Sequence, residues 1–215
     1  MQNWTQGIAV CDNVALNQRA QGRRQISLAA VCVMLAAAPG SAGVLPAANP
    51  AAGAALPAKT GAPPYRLRMF HTHTGERIDV VYRRGDAYLP DAITRLDEFL
   101  RDHRTGTVPR YDLRVFDLLS AIERRLSVPN AEIDVICGYR TPWSNTFLRE
   151  HSAGVALHSL HMEAEAIDIR IPGVSIARLR DAALALHVGG VGYYPASQFV
   201  HVDVGRVRQW SLLER

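Results

Sequence analysis

An α+β domain is predicted for this chain, because its helical segments precede most of its strand-like ones and no regular strand–helix–strand rhythm develops. Two further observations bound that domain. The chain has 215 residues, 48% of them hydrophobic, with 16 Gly and 12 Pro, which is near the globular average and sufficient for one ordinary domain plus a tail. The stretch before Tyr65 differs sharply in composition from the remainder, so the domain is expected over 65–215, preceded by 1–42 as an export signal and 43–64 as a linker.

The leader rests on Arg23-Arg24-Gln25 followed by the apolar run Ile26 to Ala38. That run falls short of the about 20 residues a membrane-spanning helix needs, but suits the apolar centre of a signal peptide. Arg19, Arg23 and Arg24 form its positive flank, and Gly40-Ser41-Ala42 supplies small residues for cleavage after Ala42. The paired arginines favour twin-arginine export slightly over the ordinary secretory route. Residues 43–64 are mostly Ala, Pro and Gly, which give a linker few side chains to bury. Cleavage removes Cys11 and Cys32 and leaves Cys137 alone, so neither an intramolecular disulfide nor a cysteine-rich zinc site is expected. Cys32 sits in the middle of the apolar run rather than at its end, which argues against lipid anchoring.

Within the domain, Tyr65–Phe70 and Arg77–Arg83 read as strands joined through Thr74-Gly75. A helix starts at Pro90-Asp91, with Ile93, Leu96, Phe99 and Leu100 at helical spacing. Gly106 and Pro109 punctuate the next connection. A second helix buries Leu113, Phe116, Leu118 and Leu119 and runs to Leu126. Glu132–Cys137 is β-rich and ends at Gly138; Thr141–Glu150 reads as a helix or an ordered loop. Ala166–Ile171 alternates as a strand. Val174–Leu186 is amphipathic, grouping Ile176, Leu179, Ala183 and Leu184 on one side. Gly189–Tyr194 and Gln198–Val204 form a closing hairpin around Pro195.

A pI of about 9.2 invites a nucleic-acid partner, but the charge is badly placed for one. Residues 1–60 hold four basic side chains against Asp12 alone, leaving 20 arginines and 19 acids in the rest. The domain therefore carries no basic footprint, and nucleic acid is not expected as a partner.

The chemistry lies in two segments, Ser159-Leu160-His161-Met162-Glu163-Ala164-Glu165-Ala166-Ile167-Asp168 and Phe199-Val200-His201-Val202-Asp203. Two histidines and a carboxylate are a common protein contribution to a catalytic zinc that keeps its fourth position open. Asp168 sits in an apolar strand-like run, where an unpaired carboxylate would be costly. His201 and Asp203 share a strand face by their spacing of two. Taken singly, each is commonplace: a lone His or Asp in a strand is usually at the surface or hydrogen-bonded in the core.

Together they resemble the zinc peptidases of bacterial cell walls, a family of D-alanyl-D-alanine carboxypeptidases, dipeptidases and murein endopeptidases. The resemblance runs over about 65–210. It includes Cys137-Gly138-Tyr139-Arg140-Thr141, similar to a Ser-Gly-Tyr-Arg-Ser segment of the family. Gly189-Gly190-Val191-Gly192-Tyr193-Tyr194-Pro195 and Phe199-Val200-His201-Val202-Asp203-Val204-Gly205 are most similar to the YcbK-like murein endopeptidases. The resemblance implies a Hedgehog/DD-peptidase-like fold with a small antiparallel sheet flanked by helices. It also implies Zn2+ held by His161, Asp168 and His201, an oxyanion contact from Arg140, and peptidoglycan stem peptides as substrate in the periplasm.

Two positions depart from the family. Ala164 stands where Gly is usual, which predicts an altered turn. Gln198 stands where many relatives place a general-base Glu, three residues before His201. Asp203 is then the first candidate for the base or, alternatively, an orienter of His201; Glu163 and His158 follow. His71 and His73 alternate on a strand without a third ligand in view, and read as surface or structural. His103, His151 and His187 read as solvated. Tyr193, Tyr194 and Trp143 are candidates for a substrate cleft, with at least one expected in the core. The combined reading is a zinc murein endopeptidase cleaving stem-peptide cross-links. Carboxypeptidase activity of the same family, or a non-catalytic peptidoglycan-binding module, are the alternatives.

Overall fold

The computed structural model describes residues 63–152 and 155–212. The expected leader and almost all of the linker lie outside them, together with Cys11 and Cys32. In chain order the elements are β1 (Pro64–His71), β2 (Arg77–Arg84), β3 (Ala87–Tyr88), α1 (Pro90–Phe99), α2 (Leu113–Leu126), β4 (Glu132–Cys137), α3 (Pro142–His151), β5 (Ala166–Arg170), α4 (Ile176–Leu184), β6 (Gly190–Tyr194), β7 (Phe199–Asp203) and β8 (Arg208–Ser211).

Local chemistry sets the helix ends. Pro90 and Pro142 occupy first-turn positions, where the missing N–H costs nothing. The side chains of Asp112, Thr141 and Ser175 cap the starts of α2, α3 and α4 by accepting backbone N–H bonds. Ser127 ends α2 in the left-handed conformation, φ 58°.

The strands form one eight-stranded sheet in the order β3-β2-β1-β4-β5-β7-β6-β8. The expected α+β class holds, but the sheet is neither small nor purely antiparallel. β1 pairs with β4 in parallel, and β6 pairs with β8 in parallel. The chain between β1 and β4, which contains α1 and α2, is long enough to return it to the same end of the sheet. After β7 turns back on β6, β8 runs along the other edge of β6. β3 and β8 went unrecognised because two and four residues are too few to display alternation.

One face of the sheet is apolar. Leu67, Met69, Ile133, Val135, Ile167, Ile169, Val200 and Val202 are fully buried there, in one cluster with Leu96 of α1, Phe116, Leu119 and Ile122 of α2 and Leu179 of α4. Their alternate neighbours point to the other face, which carries the chemistry.

Candidate active site

Strand register gathers the polar face into a row. Asp168 on β5 pairs with Cys137 on β4 and with His201 on β7; His201 pairs with Gly192 on β6, and Gly192 with Trp210 on β8. Cys137 reaches the row through an irregularity between Val135 and Cys137, a bulge that re-aims one residue. In the neighbouring row Asp203 pairs with Ala166, and Gly190 with Arg208.

The two glycines in these rows are demanded by close approach. A Cβ on Gly192 would lie 2.6 Å from Trp210 Cε2; one on Gly190 would collide with Asp203 Oδ2 and lie 2.5 Å from Arg208 Nη1. With no side chains there, residues of β8 reach across β6 to β7. Arg208 Nη2 donates to Asp203 Oδ2 at 2.7 Å. The Trp210 ring lies 5.1 Å from that of His201, and its Nε1 donates to the Tyr194 hydroxyl at 2.9 Å.

His161 arrives from the turn before β5. Ala164 in that turn keeps φ 55° and is buried, so alanine holds the glycine-like conformation at a cost of about 1 kcal/mol instead of reshaping the turn. Three donor atoms then converge. His201 Nδ1 lies 2.8 Å from Asp168 Oδ1, His161 Nε2 lies 3.2 Å from the same oxygen, and the two nitrogens are 3.1 Å apart.

The outer bonds of the histidines fix their tautomers. His161 Nδ1 is 2.7 Å from the Gly138 carbonyl, so Nδ1 carries the proton. His201 Nε2 is 3.1 Å from Asp203 Oδ2, so Nε2 carries it there. In the neutral imidazoles each inward nitrogen therefore presents a lone pair to a carboxylate oxygen, so the three atoms are compatible only through a shared proton or a metal cation. Burial disfavours charge on each group. Even so, Asp168 holds both imidazoles above their ordinary range, and the histidines hold Asp168 far below its own. The cluster calls for a cation. Tetrahedral zinc with bonds of about 2.0–2.2 Å spaces its ligand atoms about 3.3 Å apart, close to the separations here. The residues fit the metal.

Cys137 adjoins this set: its Sγ, with His161 and Asp168, offers a second group of donor atoms within 4.8 Å of one another. The sulfur is also 3.1 Å from Arg140 Nε, and the histidine–aspartate–histidine set is the tighter of the two. Arg140 is clamped over the site, with Nη1 3.4 Å from Asn145 Oδ1 and Nη2 3.4 Å from Asp168 Oδ2.

Asp203 is fully buried and fully engaged. Oδ1 accepts from Gly190 N (2.8 Å), Gly205 N (2.9 Å) and Arg208 Nη1 (3.2 Å), while Oδ2 accepts from Arg208 Nη2 and His201 Nε2. These partners, after offsetting the penalty of burial, hold its carboxyl well below the usual range. This geometry favours orientation of His201 over proton transfer. Gln198 is exposed in the β6–β7 turn, where its amide donates to the Pro195 carbonyl. Glu163 and His158 are exposed on the segment carrying His161.

A third histidine does join His71 and His73: the His103 ring stacks on His73 at 4.4 Å and lies 5.8 Å from His71. Neighbouring β1 and the 100–105 turn, far apart in sequence, bring them together. His71 is fully buried, and burial lowers its pKa to about 4 and that of His103 to about 3. His71 Nδ1 accepts from the backbone N–H groups of His73 and Thr74, so Nε2 carries its proton and offers no lone pair to a metal.

Of the cleft candidates, Tyr193 packs against the core, Tyr194 lies on the open face beside Trp210, and Trp143 is exposed on α3. Trp210, Arg208 and Asn145 were missed in the sequence. For Arg208 and Trp210 the visible signal is two glycines two apart, Gly190 and Gly192, matched by two large side chains two apart. A concavity of about 710 Å3 opens near Asp134, Arg170, Ile176 and Tyr193 rather than over the donor atoms; the chemistry of the donor set locates the site.

A sheet presenting a carboxylate and two imidazoles as convergent lone pairs, beneath a clamped guanidinium, is the equipment of a metallopeptidase-type hydrolase, and that is the class of this protein. Comparison with known proteins narrows it. The family described as "Peptidoglycan L,D-endopeptidase MepK" (Peptidase_M15_2) matches residues 59–210, and the chain belongs to that family. It is 41% identical over 148 residues to the probable peptidoglycan L,D-endopeptidase MepK of Haemophilus influenzae, covering 69% of this chain and 80% of that protein. It is 37% identical over 147 residues to the peptidoglycan L,D-endopeptidases MepK of Escherichia coli K12 and Shigella flexneri, covering 68% of this chain and 80% of each of those. No solved structure matches the chain. Peptidases of this family are in general zinc-dependent.

Proposed function

We propose that this protein is an exported, zinc-dependent murein endopeptidase that hydrolyses stem-peptide cross-links of peptidoglycan in the periplasm, at the L,D-linkage named for its relatives. The observation that carries the reading is the convergence of His161 Nε2, Asp168 Oδ1 and His201 Nδ1 to within 3.2 Å of one another. These atoms are assigned as the zinc ligands. Bound there, zinc would supply Lewis acidity that acidifies a water and polarises the scissile carbonyl.

The remaining roles belong to side chains. The Gly138 carbonyl orients His161, and Asp203, itself anchored by Arg208 and two backbone N–H groups, orients His201. Arg140, steadied by Cys137, Asn145 and Asp168, is the donor for negative charge developing on the carbonyl oxygen. The export leader expected over 1–42, with Arg23-Arg24 before the apolar run Ile26 to Ala38, supports delivery outside the cytoplasm. Among the described residues no helix is long and apolar enough to cross a membrane.

Digestion of purified cross-linked muropeptides, with and without a chelator and with product identification, tests the reading. Expected is chelator-sensitive loss of cross-linked species with products cut at the L,D bond. Tight binding without turnover would instead identify a non-catalytic module; products cut only at the D,D bond, or release of terminal residues alone, would reassign the specificity.

A further inference from the structure

We infer that an aromatic column on α3, led by Trp143, is a docking platform for the sugar rings of a glycan strand beside the peptide-cleaving site; the inference rests on the peptidoglycan reading above. Trp143, Phe147 and His151 recur every four residues and so lie on one helix face. Their rings stack in sequence: Trp143 on Phe147 at 5.6 Å and 18°, Phe147 on His151 at 4.2 Å and 23°. Trp143 is nevertheless 57% exposed. A large exposed ring already held by its neighbour surrenders little rotamer freedom on binding, which makes it a preorganised contact.

The helix beneath is firmly seated. Ser144, Asn145 and Leu148 are buried, and Thr141 donates through both its N and Oγ1 to Asp102 at 2.8 Å. Asn145 holds Arg140 from one turn inside the helix. Trp143 stands three residues after Arg140 in the chain, so the column begins within about 11 Å of the Arg140 backbone. An extended stem peptide covers about 3.3–3.6 Å per residue, so a sugar lies roughly 10 Å from a bond near the third stem residue, a distance this spacing can accommodate.

Chemistry selects the occupant. Stem peptides offer short aliphatic and charged groups, whereas a pyranose ring offers a rigid apolar face of C–H bonds, which suits the negative face of an aromatic ring. Exposed Glu150 adjoins the column while exposed Arg149 projects from another side of α3, giving no basic excess to attract an anionic lipid surface. A helix of 10 residues is about 15 Å long, too short by itself to supply the about 800 Å2 per partner of a stable self-interface.

The test uses the full chain with two probes. Binding of peptide-free glycan strands is measured by titration calorimetry, and hydrolysis of intact peptidoglycan is compared with that of a sugar-free cross-linked peptide. Saturable binding is expected, weakened at least tenfold by Trp143→Ala and less than about threefold by Trp143→Phe. Trp143→Ala and Phe147→Ala should raise KM on intact peptidoglycan about five- to twentyfold and leave sugar-free turnover within about twofold. Absence of binding by the wild type, equal affinity in Trp143→Ala, equal loss on both substrates, or self-association abolished by Trp143→Ala would each overturn the platform. If the wild type cleaved neither substrate the peptidase reading would fail, and the glycan titration would still decide the platform.

Discussion

Replacing Asp203 by Asn separates the two roles a buried carboxylate beside His201 can take. The side chain accepts from five donors, and every one of them meets a carboxylate oxygen. An amide presents one oxygen and one NH2, so either Gly190, Gly205 and Arg208 Nη1, or Arg208 Nη2 and His201, face a donor. Loss of the negative charge also strips Arg208 of its partner. Breaking a buried ion pair costs about 3–5 kcal/mol; Arg208 keeps 36% of its side chain exposed, so about 2–3 kcal/mol is expected here. Zinc affinity should fall about 10–100-fold, because His201 loses the bond that fixes its tautomer. Urea denaturation at matched zinc measures the first quantity and chelator competition the second, and raising zinc should restore most of the turnover. A fall of about 10²–10⁴ in kcat with zinc affinity unchanged would refute this reasoning and make Asp203 the proton acceptor.

Five other substitutions probe the structure. His161→Ala, Asp168→Ala and His201→Ala should each abolish most activity and lower zinc content by elemental analysis, since three protein ligands leave no redundancy; full zinc retention in any one strikes that residue from the set. Gly192→Ala should displace the Trp210 indole, cost about 1–3 kcal/mol and shift tryptophan emission; an unchanged spectrum and Tm would show that β8 does not cross β6 as described. Burial pushes the Glu123 carboxyl up to about 7, against the backbone bond from Ala131. The folded state therefore holds this proton after the unfolded chain has lost it, and stability falls as pH rises from about 4.5 through 7. Glu123→Gln should accordingly add on the order of 1–3 kcal/mol at pH 8 and almost nothing at about pH 4; a gain independent of pH would contradict it.

Much of the fold was legible because its signals are local. The helices announced themselves through caps and apolar spacing, as in Asp112 before the buried stripe Phe116, Leu119 and Ile122. Strand alternation placed His201 and Asp203 on one face, opposite Val200 and Val202. Residue types around His161, Asp168 and His201, together with the resemblance to cell-wall zinc peptidases, suggested a ligand set, and the fold brings those three side chains to one place.

Tertiary structure decided what depends on contacts between segments distant along the chain. Parallel pairing of β1 with β4 and of β6 with β8 is set by where long connections return, and has no local pattern. His103 meets His73 only because the turn after α1 packs against the end of β1. Cys137 enters the site through a bulge, which breaks the alternation from which its direction would be read. Asp203 looked available for proton transfer until Arg208 and Trp210 were seen to reach over Gly190 and Gly192, two positions where any Cβ would block the way. Periodicity determines which face a side chain takes; only the packing of distant strands determines what it meets there.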